Sequence, residues 1–320
     1  MGTYTHGLFL GLLLWPVALC DLATFMGDVD ILNQRRMAGE TYRTEDARIT
    51  GRLHELCPDI DEGLDLYFAA LSRLSACFGC LASAIAFIHD ERIRHKDIKP
   101  SNVLLSHNGL WLTDFGMSSD FSALSTSQSE AVERGTPKYF APEVAMYERS
   151  GRAADIFSLG CVFLEIVALC RGIPLDELRR LRPEQNGSFQ ANLVHKHQWF
   201  ALLKPRNIRM QHLLCEVDNM VNENPRSRPS ATQLIRHLSM IDQFAPSRSS
   251  PLHGPCCIQY RVFDELKRMA EEIEDLRCSI KERDDYIRRI VRPEPYVIPP
   301  PPIGRNWDQR SAMSHHFDTV

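Results

Sequence analysis

The stretch NVLLSHNGLWLTDF, from Asn102 to Phe115, leaves the chain little choice of local fold. Two short apolar, strand-forming runs flank Asn108-Gly109, a strong local hairpin signal. A hairpin here turns the chain back and returns Asp114 to the side of Asn102. Just upstream, IRHKDIKPSNVLL crowds His95, Lys96, Asp97, Lys99 and Asn102 into eight positions. A solvated charge run would scatter these residue types; a site that holds phosphate and metal would fix them. Phosphoryl transfer needs a carboxylate to orient a hydroxyl nucleophile, a cation on the transferred phosphate, and oxygen ligands for Mg²⁺. Asp97, Lys99, and the pair Asn102 and Asp114 supply these in order.

Bulk properties exclude little. At 320 residues the chain holds one large domain or two small ones, and 44% hydrophobic content suffices for a sizeable core. A net charge of −4 provides no global basic field, so no nucleic-acid partner is expected. The ten cysteines are scattered rather than arranged as a disulfide framework, which points to a reducing, intracellular compartment, cytoplasmic or nuclear. Cys77 and Cys80 form a CxxC within LYFAALSRLSACFGCLASAIAFIH, a continuous buried helix. No second pair stands at zinc spacing, so both are read as core cysteines. Near the start, GLFLGLLLWPVALC has the look of a signal-peptide core. It lacks a preceding Lys or Arg and a clean cleavage site, and it is short of the roughly 20 apolar residues of a membrane span. It reads as buried strand followed by a turn at Trp15-Pro16, and no membrane association is expected.

Along the chain, Asp21 is placed to cap a short helix running to about Ile31, followed by a polar, loop-like stretch, Asn33 to Arg52. Three-and-four spacing predicts a long helix from about Leu64 to His89. Ser118 to Ser129, rich in Ser and Thr, reads as a loop. Helical patterns resume at Ala154 to Leu169 and continue to about Ile241, and Ala245 to Pro255 has the composition of a linker. Beyond it Val262, Leu266, Met269, Ile273, Leu276, Ile280, Ile287 and Ile290 follow a four-three spacing, with Arg283 in the remaining slot. Isoleucine at a and leucine at d favour a parallel two-stranded coiled coil; an amphipathic helix packed on its own domain satisfies the same pattern. RPEPYVIPPPPIGR then opens a Pro-rich tail, read as disordered.

The order of motifs resembles the eukaryotic serine/threonine protein kinase family over roughly residues 1 to 243. His95-Lys96-Asp97 with Asn102 is similar to that family's catalytic loop, Asp114-Phe115-Gly116 to its metal-binding motif, and Ala141-Pro142-Glu143 to the end of its activation segment. The resemblance implies an α+β fold, with a mainly helical large lobe and a remnant of the β small lobe, plus the C-terminal helix or coiled coil. It implies a remnant of the small lobe over 1–20 (two strands and the hinge) and the large lobe over 21–243; beyond it, composition and spacing give a linker over 244–257, the heptad helix over 258–292 and the tail over 293–320. It implies ATP and Mg²⁺ as cofactors and protein substrates as partners, with self-association through 262–290 as a further expectation. Asp97 would orient the substrate hydroxyl, Lys99 would neutralise the γ-phosphate, and Asn102 and Asp114 would hold Mg²⁺. Lys99, with Thr136 in GTPKYFAPE, points to the serine/threonine branch. Glu143 would pair with Arg228 in NPRSRPS, and Asp155 would accept backbone N–H groups from the catalytic loop.

Two departures stand out. Lys96 occupies the place of an arginine that many relatives use to grip a phosphorylated activation segment, and an ammonium lacks the bidentate fork. Upstream, no G-x-G-x-x-G occurs, and Lys96 is the first lysine of the chain, so the family's glycine-rich loop and its strand lysine find no counterpart. GTYTHGLFLGLLLWPVALCDLATFM instead resembles the family's fourth and fifth strands, its hinge and the next helix. The expectation is therefore a kinase shortened at its N-terminus, with a catalytically inactive interaction scaffold as the alternative.

Overall fold

A computed structural model of the chain describes residues 2–6, 9–13, 17–39, 47–57, 65–107, 109–120, 136–205, 207–243 and 250–291. They divide into two units, 1–262 and 263–320.

The first unit opens with an antiparallel hairpin, β1 (Gly2–His6) and β2 (Phe9–Leu13), paired from Gly2↔Leu13 to His6↔Phe9. The expected turn at Trp15-Pro16 lies outside the described residues. A two-residue strand β3 (Cys20–Asp21) leads into α1 (Leu22–Ala38), which Asp21 caps by accepting the Thr24 N–H at 2.7 Å. This helix runs beyond the expected Ile31 until Gly39, at φ 70°, ends it in the left-handed region that glycine favours. The polar residues that read as loop lie on a helix whose inner face is still occupied: Leu32 and Asn33 are buried, and the Tyr67 hydroxyl donates to Asn33 Oδ1. The end of the same stretch belongs to α2 (Ala47–Leu56). There Arg52 makes a bidentate pair with Asp28 at 2.7 Å, and Leu53 and Leu56 are buried.

The core is built on α3 (Leu66–Asp90), which starts where Asp65 accepts the Tyr67 N–H. The helix is apolar nearly all round, and a helix of that kind is buried. It packs against α1, α2, α5 (Arg152–Cys170) and α9 (Ala231–Gln243). Both α3 and α5 have the length and apolarity of a membrane span, and most of each is buried within this fold. Phe78 of α3 meets Phe163 of α5 edge-on, with ring centroids 4.8 Å apart.

After α3 come β4 (Ile93–Arg94), then β5 (Val103–Ser106) and β6 (Gly109–Leu112), then β7 (Ser119–Asp120). The hairpin expected from the sequence is β5 and β6, registered from Val103↔Leu112 to Ser106↔Gly109, so Gly109 opens the second strand rather than completing the turn. β3 pairs on the outer side of β5, and β7 pairs antiparallel with β4. The expected loop over Ser118 to Ser129 thus begins with a strand, and its remainder lies outside the described residues. The short helices α4 (Pro142–Ala145), α6 (Leu175–Arg180) and α7 (Lys196–Leu202), with α8 (Ile208–Met220), complete the helical body.

Of the segment that read as linker, residues 250–257 are seated on α3 and α9. Leu252 and His253 are buried, and the Asp242 carboxylate accepts the Leu252 N–H at 3.1 Å and pairs with His253 Nδ1 at 2.9 Å. Gly79 of α3 makes room for this strap, because a Cβ there would stand 2.1 Å from the His253 ring. The last helix, α10 (Pro255–Val291), runs on into the second unit. Every described side chain from 272 to 288 is exposed, including Ile273, Leu276, Ile280 and Ile287. The architecture is that of a mainly helical lobe with a small strand cluster and a C-terminal helix.

Phe163→Ala should destabilise the first unit by about 3–5 kcal/mol, since it empties a packed aromatic site between the two central helices. Val194→Ala, at a side chain that is 73% exposed, should change stability by less than about 0.5 kcal/mol. Urea denaturation of the two variants against the parent measures both.

Candidate functional site

The loop between β4 and β5 holds its shape through one carboxylate beneath it. Asp155, one turn into α5, accepts the backbone N–H of His95 at 3.0 Å and of Lys96 at 2.9 Å, and contacts His89 Nε2 at 2.9 Å. Burial pushes this carboxyl up, but the His89 contact and the two backbone donors outweigh it and hold it below the ordinary aspartate range. The donors are needed because Lys96 sits at φ 67°, a conformation that a non-glycine residue keeps only when its surroundings enforce it. His95, fully buried, bridges to the Thr113 carbonyl at 2.9 Å and stacks obliquely on Phe115 with centroids 4.8 Å apart.

Asp97 follows, 7% exposed and surrounded by donors. Its Oδ2 accepts from Lys99 Nζ at 2.6 Å and Asn102 Nδ2 at 3.0 Å, and its Oδ1 accepts the Thr136 N–H at 2.9 Å. Lys99 Nζ also donates to Thr136 Oγ1 at 2.8 Å, so the segment at 136 is tied to both residues. Burial raises the Asp97 carboxyl; the Lys99 hydrogen bond, the Thr136 N–H, the Lys99 charge and Asn102 together bring it below the usual range. It is a fixed, ionised acceptor.

Asn102 donates its amide to the Asp97 carbonyl as well, at 2.8 Å, and this fixes the side chain. No described group donates to its Oδ1. The hairpin brings Asp114 back to this level, since the Thr113 N–H bonds the Asn102 carbonyl at 3.0 Å. Asp114 is exposed, stands at φ 62°, and its carboxylate accepts no hydrogen bond from the described residues. Two uncommitted oxygens, one amide and one carboxylate, are hard donors of the kind Mg²⁺ takes, so the residues present fit that ion. For a nucleotide phosphate the matching group is the Lys99 ammonium. Phe115 and Gly116 follow in a single 3₁₀ turn and are exposed.

Farther out, Glu143 and Arg228 form a buried bidentate pair at 2.7 and 2.9 Å, 85 residues apart in sequence. Arg228 also donates to the carbonyls of Asn222, Ala153 and Glu223, so its guanidinium is fully used. Sequence reasoning did not anticipate a second charged cluster. Glu165 of α5 accepts from the Tyr139 hydroxyl at 2.9 Å and pairs with Lys138 Nζ at 2.6 Å, while the buried Arg182 stands 3.8 Å away and covers the Phe189 ring. Nor did it find Arg94, 1% exposed, which donates to the Ser150 carbonyl and Ser119 Oγ. A charged residue in the apolar α5 pattern was the available signal for Glu165. Arg94 carries none: among its partners are a backbone carbonyl and a hydroxyl, each at least 25 residues away in sequence.

The protein kinase domain family matches residues 65–240 of the chain, a span containing every residue of this site. Among similar proteins, the serine/threonine-protein kinase Nek6 of Oryza sativa is 31% identical over 185 residues, covering 57% of this chain and 32% of the relative. The serine/threonine-protein kinase PkaA of Streptomyces coelicolor is 30% identical over 212 residues, covering 62% and 36%. The dual specificity protein kinase zak2 of Dictyostelium discoideum is 39% identical over 116 residues, covering 32% and 18%. The matches span little more than a third of these relatives' lengths at most.

Arg228→Lys should cost about 3–5 kcal/mol, because a lysine cannot bridge both Glu143 oxygens and leaves a buried carboxylate underpaired; thermal or urea unfolding measures it. A pH effect follows from Asp155. Its folded-state pKa lies below the unfolded value of about 4, so its contribution is whole above that pH and is lost as pH falls through the folded-state pKa. The stability gap between the parent and Asp155→Asn should therefore be present above about pH 4 and shrink below it. Unfolding curves collected across that range read this out.

Proposed function

Because the chain belongs to the protein kinase domain family, we propose that the cluster of Asp97, Lys99, Asn102 and Asp114 serves phosphoryl transfer from ATP to serine and threonine hydroxyls of protein substrates. The observation that carries this reading is the state of Asp97: ionised and fixed by three donors shared between its two oxygens. A binding-only module has no physical need to hold a carboxylate that way. Asp97 receives the substrate hydroxyl as a hydrogen-bond acceptor and takes its proton as the nucleophile commits. Lys99, anchored between Asp97 and Thr136, offers its remaining N–H to the transferred phosphate and offsets its charge. The Thr136 contact couples this lysine to the segment before Ala141, so a docked peptide and the acceptor carboxylate share one support. Asn102 and Asp114 would hold Mg²⁺ through oxygens that no described group occupies. ATP with its metal supplies the phosphoryl group and neutralises charge on it when bound.

Lys99 and Thr136 support serine and threonine as acceptors, and the ten cysteines, none of them joined in a disulfide, support an intracellular location. The exposed seam of α10 is proposed to pair with a second copy of the chain. Its Ile273, Ile280 and Ile287 fall at a and Leu276 at d, a self-complementary pattern that suits a parallel two-stranded coil.

Asp97→Asn should lower phosphate transfer to a serine- and threonine-containing protein by about 10²–10⁴-fold, measured with γ-labelled ATP and Mg²⁺. An activity close to the parent's would remove Asp97 from this role. Ile273→Asp with Ile280→Asp should reduce the mass observed by sedimentation equilibrium to that of one chain, and an unchanged mass would sink the pairing.

A further inference from the structure

The CxxC of α3 and the adjacent pair Cys256-Cys257 stand 176 residues apart, and the strap brings them together. Cys80 Sγ lies 3.4 Å from Cys256 Sγ, Cys256 Sγ lies 3.9 Å from Cys257 Sγ, and all three sulfurs are within 4.8 Å of one another. A tetrahedral zinc ion with Zn–S bonds of about 2.3 Å sets its sulfurs about 3.8 Å apart. The two measured separations fall on either side of that edge length. A disulfide would engage two of the sulfurs and leave the third without a role; convergence of three is the arrangement an ion takes.

The surroundings have the character of an outer shell. The Gly254 N–H donates to Cys80 Sγ at 3.2 Å, the Leu110 N–H reaches Cys256, and the Ser83 hydroxyl reaches Cys257. Arg73 is anchored by the carbonyls of Ser106 and Gly109 at 3.1 and 2.9 Å, and its charge acts on Cys256. Three thiolates around a divalent cation carry one net negative charge, which a single guanidinium offsets. Such partners orient metal ligands and tune their basicity. The strap is itself held by Asp242 and seated at Gly79, so Cys256 and Cys257 arrive on a braced segment rather than a loose end. Cys77, one turn before Cys80, is buried and directs its sulfur to the Arg73 carbonyl at 3.5 Å, outside the triad.

We propose that Cys80, Cys256 and Cys257 form a binding site for a thiophilic divalent cation, Zn²⁺, with its fourth position taken by water. Binding replaces the thiol protons, so the three sulfurs form Zn–S bonds and the protons pass to solvent. The ion fastens the start of α10 to the middle of α3, beside the β5–β6 hairpin whose Ser106 and Gly109 carbonyls anchor Arg73.

The test uses the whole chain, reduced and stripped with a chelator, then titrated anaerobically with Co²⁺ alone. Expected are a sulfur-to-cobalt charge-transfer band and intense tetrahedral ligand-field bands that saturate at one ion per chain and bleach on adding Zn²⁺. Cys256→Ser and Cys257→Ser should each weaken binding by roughly tenfold or more. Cys215→Ser, at an exposed cysteine outside the cluster, should leave the titration unchanged. Absence of the bands from the parent protein overturns the proposal whether or not the variants fold. So does their persistence in both Cys256→Ser and Cys257→Ser, shown folded by circular dichroism. A parent that binds no cobalt but on mild oxidation yields a peptide in which Cys80 and Cys256 are joined would overturn it in favour of a disulfide.

Discussion

A carboxylate almost without water around it, Asp155, is the constraint on which the site depends. Its two oxygens are shared among two backbone donors of the loop and the His89 ring, and thereby α3, the β4–β5 loop and α5 are fixed to one point. An isolated carboxylate could not stay ionised at that depth; three well-placed partners make it the favoured state. In exchange the loop can hold Lys96 in the left-handed region, which sets the direction in which Asp97 leaves. The acceptor geometry at Asp97 is in this sense a property of α5 and α3 as much as of the loop that carries it.

How much of this could be read from the sequence follows from the range of each interaction. The hairpin at 103–112 and the body of α3 obey local rules, strand-turn-strand alternation and three-and-four spacing, and both were legible. The second half of α1 was not, because the side-chain oxygen of its buried polar residue, Asn33, is met by a hydroxyl 34 residues away. The strap at 250–257 has a linker's composition of Pro, Ser and Gly; what seats it is a carboxylate ten residues earlier and a glycine in the middle of another helix. At the site, the spacing of Asp97, Lys99, Asn102 and Asp114 was legible as chemistry, and the fold brings Asp97, Lys99 and Asn102 into direct contact. The cluster around Glu165 was not, because its partners converge from two distant segments, Lys138 and Tyr139 on one and Arg182 on the other.

The same distinction explains the cysteines. In sequence, Cys77 and Cys80 are two small apolar residues in an apolar helix, and core packing is the economical reading. Only the path of the strap places two further sulfurs beside Cys80 and none beside Cys77. One member of the CxxC is thereby set apart from the other by a contact that no motif spacing encodes.

The pair of Glu143 and Arg228 has a consequence for how the protein is made. Ribosomes add about 5–20 residues per second, so the 85 positions between the two take roughly 4–17 s to appear. Throughout that interval a carboxylate destined for the interior has no guanidinium to meet, and α5, the most apolar helix of the lobe, is completed within its first third. The nascent chain therefore passes through a stage in which α5 exists without α8 to cover it, and α3 without α9, and that stage lasts far longer than hydrophobic collapse. For this lobe the vulnerable period lies on the ribosome, before Arg228 has emerged, and it is there that a chaperone binding apolar helices would find its substrate.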